Sequence, residues 1–415
     1  MSSIKRFAVA FDLGTTTIAA SLVDLEKGAR IAALGAMNPQ RAWGADVLAR
    51  LEAGRSPETL AAMQKSAGAE LERLALELLA GAGGAEDELA GIALAGNSAM
   101  EQILLGLPVD RLIHPPYLPI SKEARRTSTR ALGWSRDFHA YLFPLPGGFV
   151  GGDLVSFLFS RQLAEKGPTL YLDLGTNGEM ALCDGETILA TSAAAGPAFE
   201  GGNLSCGMAA LSGAVSGVKI EGERVALSTI GGAPPRGICG SGVLECVAEL
   251  LSCGVVEPSG RLRPAAEIES NLANRVVDID GVTSFLLYRD ASRSVYLSQE
   301  DIRALQLAKG ALRAGMEVLV SRAGVSLDSL SEVVLTGSFG AVLPPAVLKK
   351  IGVFTEKMVI VSGFTRDGAL AGVERFLVEK DGAKKVDELA ARVRVIPLSG
   401  TPAFERLFLG RLDFA

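Results

Sequence analysis

One local pattern occurs twice in this chain, and no other feature limits its fold so strongly. FAVAF (7–11) is β-prone and runs into DLGTTT (12–17); IAASLVDL (18–25) resumes as a strand, EKG (26–28) turns, and RIAALGAM (30–37) reads as a third strand. In the second half TLYLD (169–173) runs into LGTNGE (174–179), followed by MALC (180–183), a DGE turn (184–186) and TILATS (187–192). The matching carboxylates, Asp12 and Asp173, are 161 positions apart. A repeated strand–loop–strand–turn–strand unit predicts two α/β lobes. The length agrees, because 415 residues exceed the roughly 250–300 at which one hydrophobic core stops growing.

Composition narrows the class. Hydrophobic residues at 48% and charged residues at 21% are ordinary for a globular chain. A net charge of −6 gives no bulk attraction to nucleic acid or to an anionic membrane. No apolar run reaches 18 residues, and the apolar run near the N-terminus is interrupted by Asp12, so the expectation is a cytoplasmic protein without signal peptide or membrane span. Five cysteines (183, 206, 239, 246, 253) form no CxxC, and the only histidines are His114 and His139, which argues against a disulfide framework and a histidine-rich metal centre. Trp43 and Trp134 are read as packing anchors.

Two long helices are legible. Ser56 before Pro57 is an N-cap with proline at the first helical position, and Leu60, Met63, Ala67, Leu71, Leu74 and Leu78 recur at steps of three and four until GAGG (81–84). Ser298 with Asp301 approximates a capping box, ahead of a stripe of Ile302, Leu305, Ala308, Leu312, Met316 and Leu319. Both stripes are expected to face the core. VVLTG (333–337) predicts a strand that feeds a ligand loop, SFGAVLPP. GFTRDGALAG (363–372) leads a helix to about 379, EKDGAKK (379–385) reads as a charged surface turn, VRVIPL (393–398) as a strand and FERLFL (404–409) as a short helix.

The repeated loops carry the chemistry. Asp12 can hold a divalent cation through bound water, Gly14 lets backbone approach closely, and Thr15 and Thr16 offer hydroxyls and N–H groups to phosphate oxygens. DLGTNGE (173–179) offers the same set and adds Asn177 and Glu179. One DLGT is an ordinary turn; two at equivalent places argue for a nucleotide held by one loop from each lobe. There is no GxxxxGK[ST], and no GxGxxG follows the first strand. GGAPPRGICGSG (231–242) opens a helix at 241–251 and presents N–H groups to an anion or a base, whereas the conformation of AAAGPAFEGGNLSCG (193–207) looks specified without naming a ligand. Cys239, flanked by glycines, has no histidine near it in sequence and is read as a packed thiol.

The two DLGT loops resemble phosphate loops one and two of the acetate kinase, sugar kinase, Hsp70 and actin superfamily, and LTGSFG (335–340) resembles its adenosine loop. The resemblance sharpens over NPQRAWGADVLARL (38–51), GNSAM (96–100), HPPYLP (114–119), VGGD (150–153), LYLDLGTNGEMAL (170–182), SAAAGPAFEGGNLSCGM (192–208), RGICGSG (236–242) and QEDIRALQLAKGA (299–311). In that order they are similar to the reductive activators of corrinoid enzymes, over residues 6 to about 413.

The resemblance implies duplicated ribonuclease-H-like α/β lobes around a nucleotide cleft, at residues 1–155 and 165–345, with 346–415 completing them. It implies Mg²⁺–ATP hydrolysis coupled to raising a Co(II) corrinoid protein to Co(I). Asp12 and Asp173 would serve the metal; Gly14, Thr15, Thr16, Gly175, Thr176, Asn177 and Gly178 the phosphates; Gly337, Ser338 and Gly340 the adenosine; and Gly237 and Gly240 the base or ribose. Glu179 or Asp153 would orient the attacking water. Relatives tend to have a histidine after Met100, where this chain has Glu101, and a GNAAGxGA-like stretch where it has GFTRDGA (363–369). They also carry an N-terminal [2Fe–2S] domain, and this chain has no four-cysteine ferredoxin spacing. Cys246 and Cys253, on one regular helix, would be about 10.5 Å apart along its axis, too far for adjacent ligands of a small cluster. The expectation is no iron–sulfur cluster in this chain, a separate ferredoxin-like electron donor, and a homodimer as a further implication. A small-molecule kinase and an ATP-dependent chaperone or scaffold of the same superfold stay open as alternatives.

Overall fold

A computed structural model of the chain describes residues 6–163, 167–185, 187–337 and 343–414. The chain divides into two units: Met1–Glu165, Gly185–Ala190 and Arg366–Val395 form one, and Lys166–Asp184, Thr191–Thr365 and Ile396–Ala415 form the other.

In the first unit β1 (Phe7–Leu13), β2 (Thr17–Asp24) and β3 (Ala29–Met37) make an antiparallel meander, as the repeat predicts. Then come α1 (Val47–Ala53) and α2 (Pro57–Gly81). Ser56 caps α2 by accepting from the Thr59 N–H, and every residue of its predicted stripe is buried. That stripe packs with Phe7, Val9, Phe11 and Leu13 of β1 in one apolar cluster. Trp134 is buried edge-on against Phe11, with ring centroids 6.4 Å apart, and is the packing anchor expected. β4 (Leu89–Gly96) joins β1 in parallel, followed by α3 (Ser98–Leu104) and α4 (Asp110–Ile113). β5 (Arg125–Ser128) and β6 (His139–Leu142) complete the order β3-β2-β1-β4-β6-β5, and α5 (Gly152–Phe159) follows. Strands β1, β4 and β6 are parallel, so the loops after them leave the same edge of the sheet, where α/β sheets hold ligands.

The meander recurs in β7 (Thr169–Leu174) and β8 (Gly178–Asp184) of the second unit and in β9 (Thr187–Ala193), whose residues 187–190 belong to the first unit and 191–193 to the second. Two three-stranded sheets that the sequence reading did not place come next. One contains β10 (Ala214–Glu221), β11 (Arg224–Thr229) and β12 (Gly237–Ile238), backed by α6 (Gly240–Ser252). The other contains β13 (Val276–Ile279), β14 (Val282–Arg289) and β15 (Ser294–Ser298). α7 (Gln299–Ala323) starts at the predicted capping box, with Ser298 and Asp301 bonding each other's backbone N–H, and its predicted stripe is buried. β16 (Glu332–Thr336) pairs in parallel with β7; α8 (Pro345–Lys350), α9 (Glu356–Val361) and β17 (Ser362–Phe364) follow.

At Arg366 the chain returns to the first unit. α10 (Gly368–Val378) packs on α5, where Ser156 Oγ donates to the Ala369 carbonyl at 2.6 Å and Arg375 to that of Phe159 at 2.9 Å. The charged stretch expected to be a surface turn instead enters a helix, α11 (Gly382–Arg392), after a left-handed Asp381. Burial of Val386 and Leu389 holds it, a tertiary effect that its polar N-terminal half does not announce. β18 (Val393–Val395) is shorter than the strand predicted and pairs with Ile188–Ala190 of β9. In the second unit α12 (Pro402–Gly410) packs on α7, and α7 grips the tail: Gln306 donates to the Leu412 carbonyl at 2.9 Å, and Lys309 donates to that of Asp413. Among the described residues no helix is long and apolar enough to cross a membrane.

The α5–α10 contact depends on a missing side chain. A Cβ on Gly372 would lie 1.8 Å from the Ser156 carbonyl oxygen, whereas one on Gly81 at the end of α2 would meet nothing within 4 Å. Gly372→Ala should therefore destabilise the protein by about 1–3 kcal/mol, and Gly81→Ala should be neutral or stabilise by up to about 1 kcal/mol. Urea unfolding of the two variants beside the parent checks this; equal midpoints would refute the packing.

Candidate functional site

The first DLGT loop is a short turn between β1 and β2 with an unusual hydrogen-bond pattern. Its three consecutive carbonyls are all engaged from the segment that follows β3. Asn38 Nδ2 donates to Gly14 O at 2.8 Å, Arg50 Nη1 to Thr15 O at 2.6 Å, and the Asn38 N–H to Thr16 O at 2.9 Å. Asn97, which caps α3, donates to Thr15 Oγ1 at 2.9 Å. Among the described residues none accepts from the N–H groups of Gly14, Thr15 or Thr16. A turn whose carbonyls are held on one side leaves its N–H groups for an anion. Asp12, half-buried at the end of β1, stands in register with Ala19 of β2 and Ala95 of β4.

Around this loop α3 and α5 begin side by side. A Cβ on Gly151 would sit 2.5 Å from Asn97 Cα, so only glycine lets the start of α5 meet the start of α3. Asp153 lies in the first turn of α5 and Glu101 in α3. The Gly96 N–H donates to Glu101 Oε1 at 3.0 Å, and the Leu154 N–H to Asp153 Oδ1 at 2.8 Å. Burial pushes Glu101 well above the usual carboxylate range, and the charge of Asp153 adds to this. Burial also pushes Asp153 up, to about 6, against the backbone N–H groups that favour its anion.

In the second unit Asp173 closes β7, in register with Glu179 of β8 and Thr336 of the parallel β16. The DLGTN loop and the loop after β16 thus leave one sheet edge together. Thr176 Oγ1 donates to Glu200, whose carboxyl burial raises, and Gly175 N–H donates to Asn177 O at 3.3 Å. Glu179 is buried and accepts from Ser192 Oγ at 3.3 Å. Gly178 is glycine for packing: a Cβ would lie 2.0 Å from Leu312 Cδ2 of α7. Gly240 opens α6 and packs directly on the Phe199 carbonyl, and Gly237 packs on Cys206 and Met208. Cys239 stands at the N-cap position of α6 without a side-chain cap bond, and its buried thiol donates to the Val215 carbonyl at 3.4 Å, a packed group. Gly337 follows β16 directly; Ser338 and Gly340 lie outside the described residues.

Those of the predicted residues that the structure describes fall into two clusters, one per unit, with partners the sequence reading passed over: Asn38, Arg50, Asn97 and Glu101 in the first, Glu200 in the second. Asn38 and Arg50 lie in the NPQ segment, and Asn97 and Glu101 in GNSAMEQ, both noted for resemblance but not for chemistry. Among the described residues no group of three or more His, Cys, Asp or Glu is placed to hold a metal. Mg²⁺ bound with nucleotide needs only one or two carboxylates beside phosphate oxygens and water, so the donor sets at Asp12 and Asp173 fit it.

Two family models match the chain: the RACo middle region over residues 7–166, and the C-terminal domain of RACo, the ASKHA domain, over 167–415. The chain is 28% identical over 412 residues to the corrinoid activation enzyme RamQ of Eubacterium limosum, covering 97% of this chain and 69% of that protein. It is 25% identical over 297 residues to the [Co(II) methylated amine-specific corrinoid protein] reductase of Methanosarcina barkeri, covering 64% of this chain and 49% of that protein. A solved structure, the reductive activator for corrinoid,iron-sulfur protein, superposes with a TM-score of 0.88 at 26% identity, covering 100% of this chain and 67% of that one. The chain thus spans from about half to about two thirds of the length of these relatives.

Asp153 makes the first cluster testable by pH. Its carboxyl titrates near 3.8 when unfolded and near 6 here, so between those values the folded protein binds more protons and stability falls as pH rises from about 4 to about 6. Asp153→Asn removes that loss. The variant should match the parent near pH 4 and exceed it by roughly 1–3 kcal/mol at pH 7. Thermal unfolding at the two pH values measures it, and a variant no more stable at pH 7 would contradict the burial.

Proposed function

This chain belongs to the RACo family, and from that premise we propose that it hydrolyses ATP to drive the reduction of a Co(II) corrinoid protein to Co(I), with electrons from a separate low-potential donor. The observation that carries this reading is the family match across residues 7–415 together with two DLGT loops, each set at the carboxyl edge of its unit's sheet. On this reading the two units are the duplicated ribonuclease-H-like lobes of the ASKHA superfold. Residues 1–155 and 165–345 supply most of each, and 346–415 completes them. The protein works in the cytoplasm, its homodimer being part of the same proposal.

Each residue then has a task. The N–H groups and hydroxyls of Thr15 and Thr16, with the backbone at Gly14, bind phosphate oxygens from the first unit. Gly175, Thr176, Asn177 and Gly178 do so from the second, where the Thr176–Glu200 hydrogen bond fixes the loop. Asp12 and Asp173 would hold the Mg²⁺ that accompanies the nucleotide and neutralises phosphoryl charge. Asp153, held at an elevated pKa, or Glu179 orients the attacking water and accepts its proton. Gly337, Ser338 and Gly340 contact the adenosine, and Gly237 and Gly240 its base or ribose. Hydrolysis supplies the free energy for an electron transfer that is uphill with the corrinoid alone.

ATP turnover should be slow in the isolated protein and rise when a Co(II) corrinoid protein is added. Asp12→Ala and Asp173→Ala should each cut turnover by about 10²-fold or more. Phosphate-release kinetics with and without the corrinoid protein test this; wild-type rates in both variants would overturn the assignment. Phosphate appearing on a metabolite instead of in water would mark a small-molecule kinase.

A further inference from the structure

Arg50 is the largest fully buried side chain among the described residues, with 1% of its surface exposed, and the tasks assigned above leave it unused. Its guanidinium donates to Thr15 O at 2.6 Å, to Gly44 O at 2.9 Å and to Met100 Sδ at 3.3 Å. These partners are carbonyls and a thioether. Among the described residues no carboxylate forms an ion pair with it, although Asp46 acts on it at longer range. Burial lowers the Arg50 pKa to about 10, which still leaves the group charged at neutral pH. A buried cation without a paired anion is costly and is retained where something else repays the cost.

The geometry beside it shows what that is. Arg50 and Asn38 between them hold the carbonyls of Gly14, Thr15 and Thr16 on one side of the turn. Asn38 is itself fully buried and fixed, accepting from the Gln40 N–H at 3.0 Å. Reversing any of these peptide groups would turn a carbonyl oxygen toward the ligand and break a buried hydrogen bond. We propose that Arg50 and Asn38 are positioning residues that lock the first loop into an anion-accepting form, and that the unpaired charge of Arg50 supplies part of the positive potential a polyphosphate meets there. The inference rests on the nucleotide-binding reading and names the residues that make the first loop select phosphate.

Calorimetric titration of Mg²⁺–ATP into the full chain tests it, with Arg50→Met, Arg50→Lys and Asn38→Ser beside the wild type. Arg50→Met should raise the ATP Kd by at least about tenfold, and Arg50→Lys, which keeps the charge, should recover most of that loss; a role in packing alone would not rank the two this way. The Kd of the Arg50→Met variant should also depend less steeply on salt, because one charge that attracts the phosphates is gone. Asn38→Ser, which loses the donor to Gly14 O, should weaken ATP binding too and carries the test if Arg50→Met does not fold. A folded Arg50→Met with Kd within twofold of wild type overturns the proposal, as does an Asn38→Ser variant of unchanged affinity. No ATP binding by the wild type itself would sink the nucleotide reading instead.

Discussion

Three adjacent backbone carbonyls, at Gly14, Thr15 and Thr16, are held by two buried side chains and one backbone N–H from the segment after β3. Much of the first unit is arranged to make that possible. The turn lies at the carboxyl edge of three parallel strands. The chain continues from β3 directly into the segment that engages it, so Asn38 arrives in register with Thr16. Asn97 reaches Thr15 Oγ1 because β4 runs parallel to β1 and ends beside it. A peptide group turned the other way would cost the buried Arg50 guanidinium its bond to Thr15 O or the buried Asn38 amide its bond to Gly14 O, which fixes the orientation more firmly than turn propensity would.

Three carboxyls near the loops, Glu101 buried and Asp153 and Glu200 half-buried, share one feature. Glu101 and Asp153 sit where α3 and α5 begin, and Glu200 sits against the second DLGT loop, all with pKa values raised by burial. Apolar or amide side chains would be less costly at these places. The helix that carries Asp153 is braced from behind: α10 packs on α5 through Gly372, Ser156 and Arg375.

Elements with purely local causes were legible in the chain. The two meanders follow from β-prone runs punctuated by glycine turns, and α2 and α7 from a cap and an apolar stripe. The small sheets of β10–β12 and β13–β15 were not anticipated, because their strands are half-exposed and mix polar with apolar residues. α11 was hidden behind a lysine-rich start that only tertiary burial of Val386 and Leu389 makes helical. At the candidate site, the loops proposed to bind phosphate were visible in the chain, because their candidate groups stand in consecutive residues. Their supports were not: Asn38, Arg50 and Asn97 contact the first loop through side-chain hydrogen bonds that span 24 to 82 positions, and a lone Arg in an amphipathic helix looks like any solvated cation. Gly178 and Gly240, read as ligand-facing, also have a packing reason that only the fold reveals.

Energy coupling is the central claim, and cobalt reports on it directly. The full chain, a corrinoid protein held as Co(II) and a reduced ferredoxin-type donor, mixed under anaerobic conditions, can be followed by the visible spectrum of the corrin. The account predicts that Co(I) accumulates only when Mg²⁺–ATP is present together with this chain, in step with phosphate release. Co(II) that stays unchanged while ATP is hydrolysed, or Co(I) that forms equally well without ATP, would contradict it.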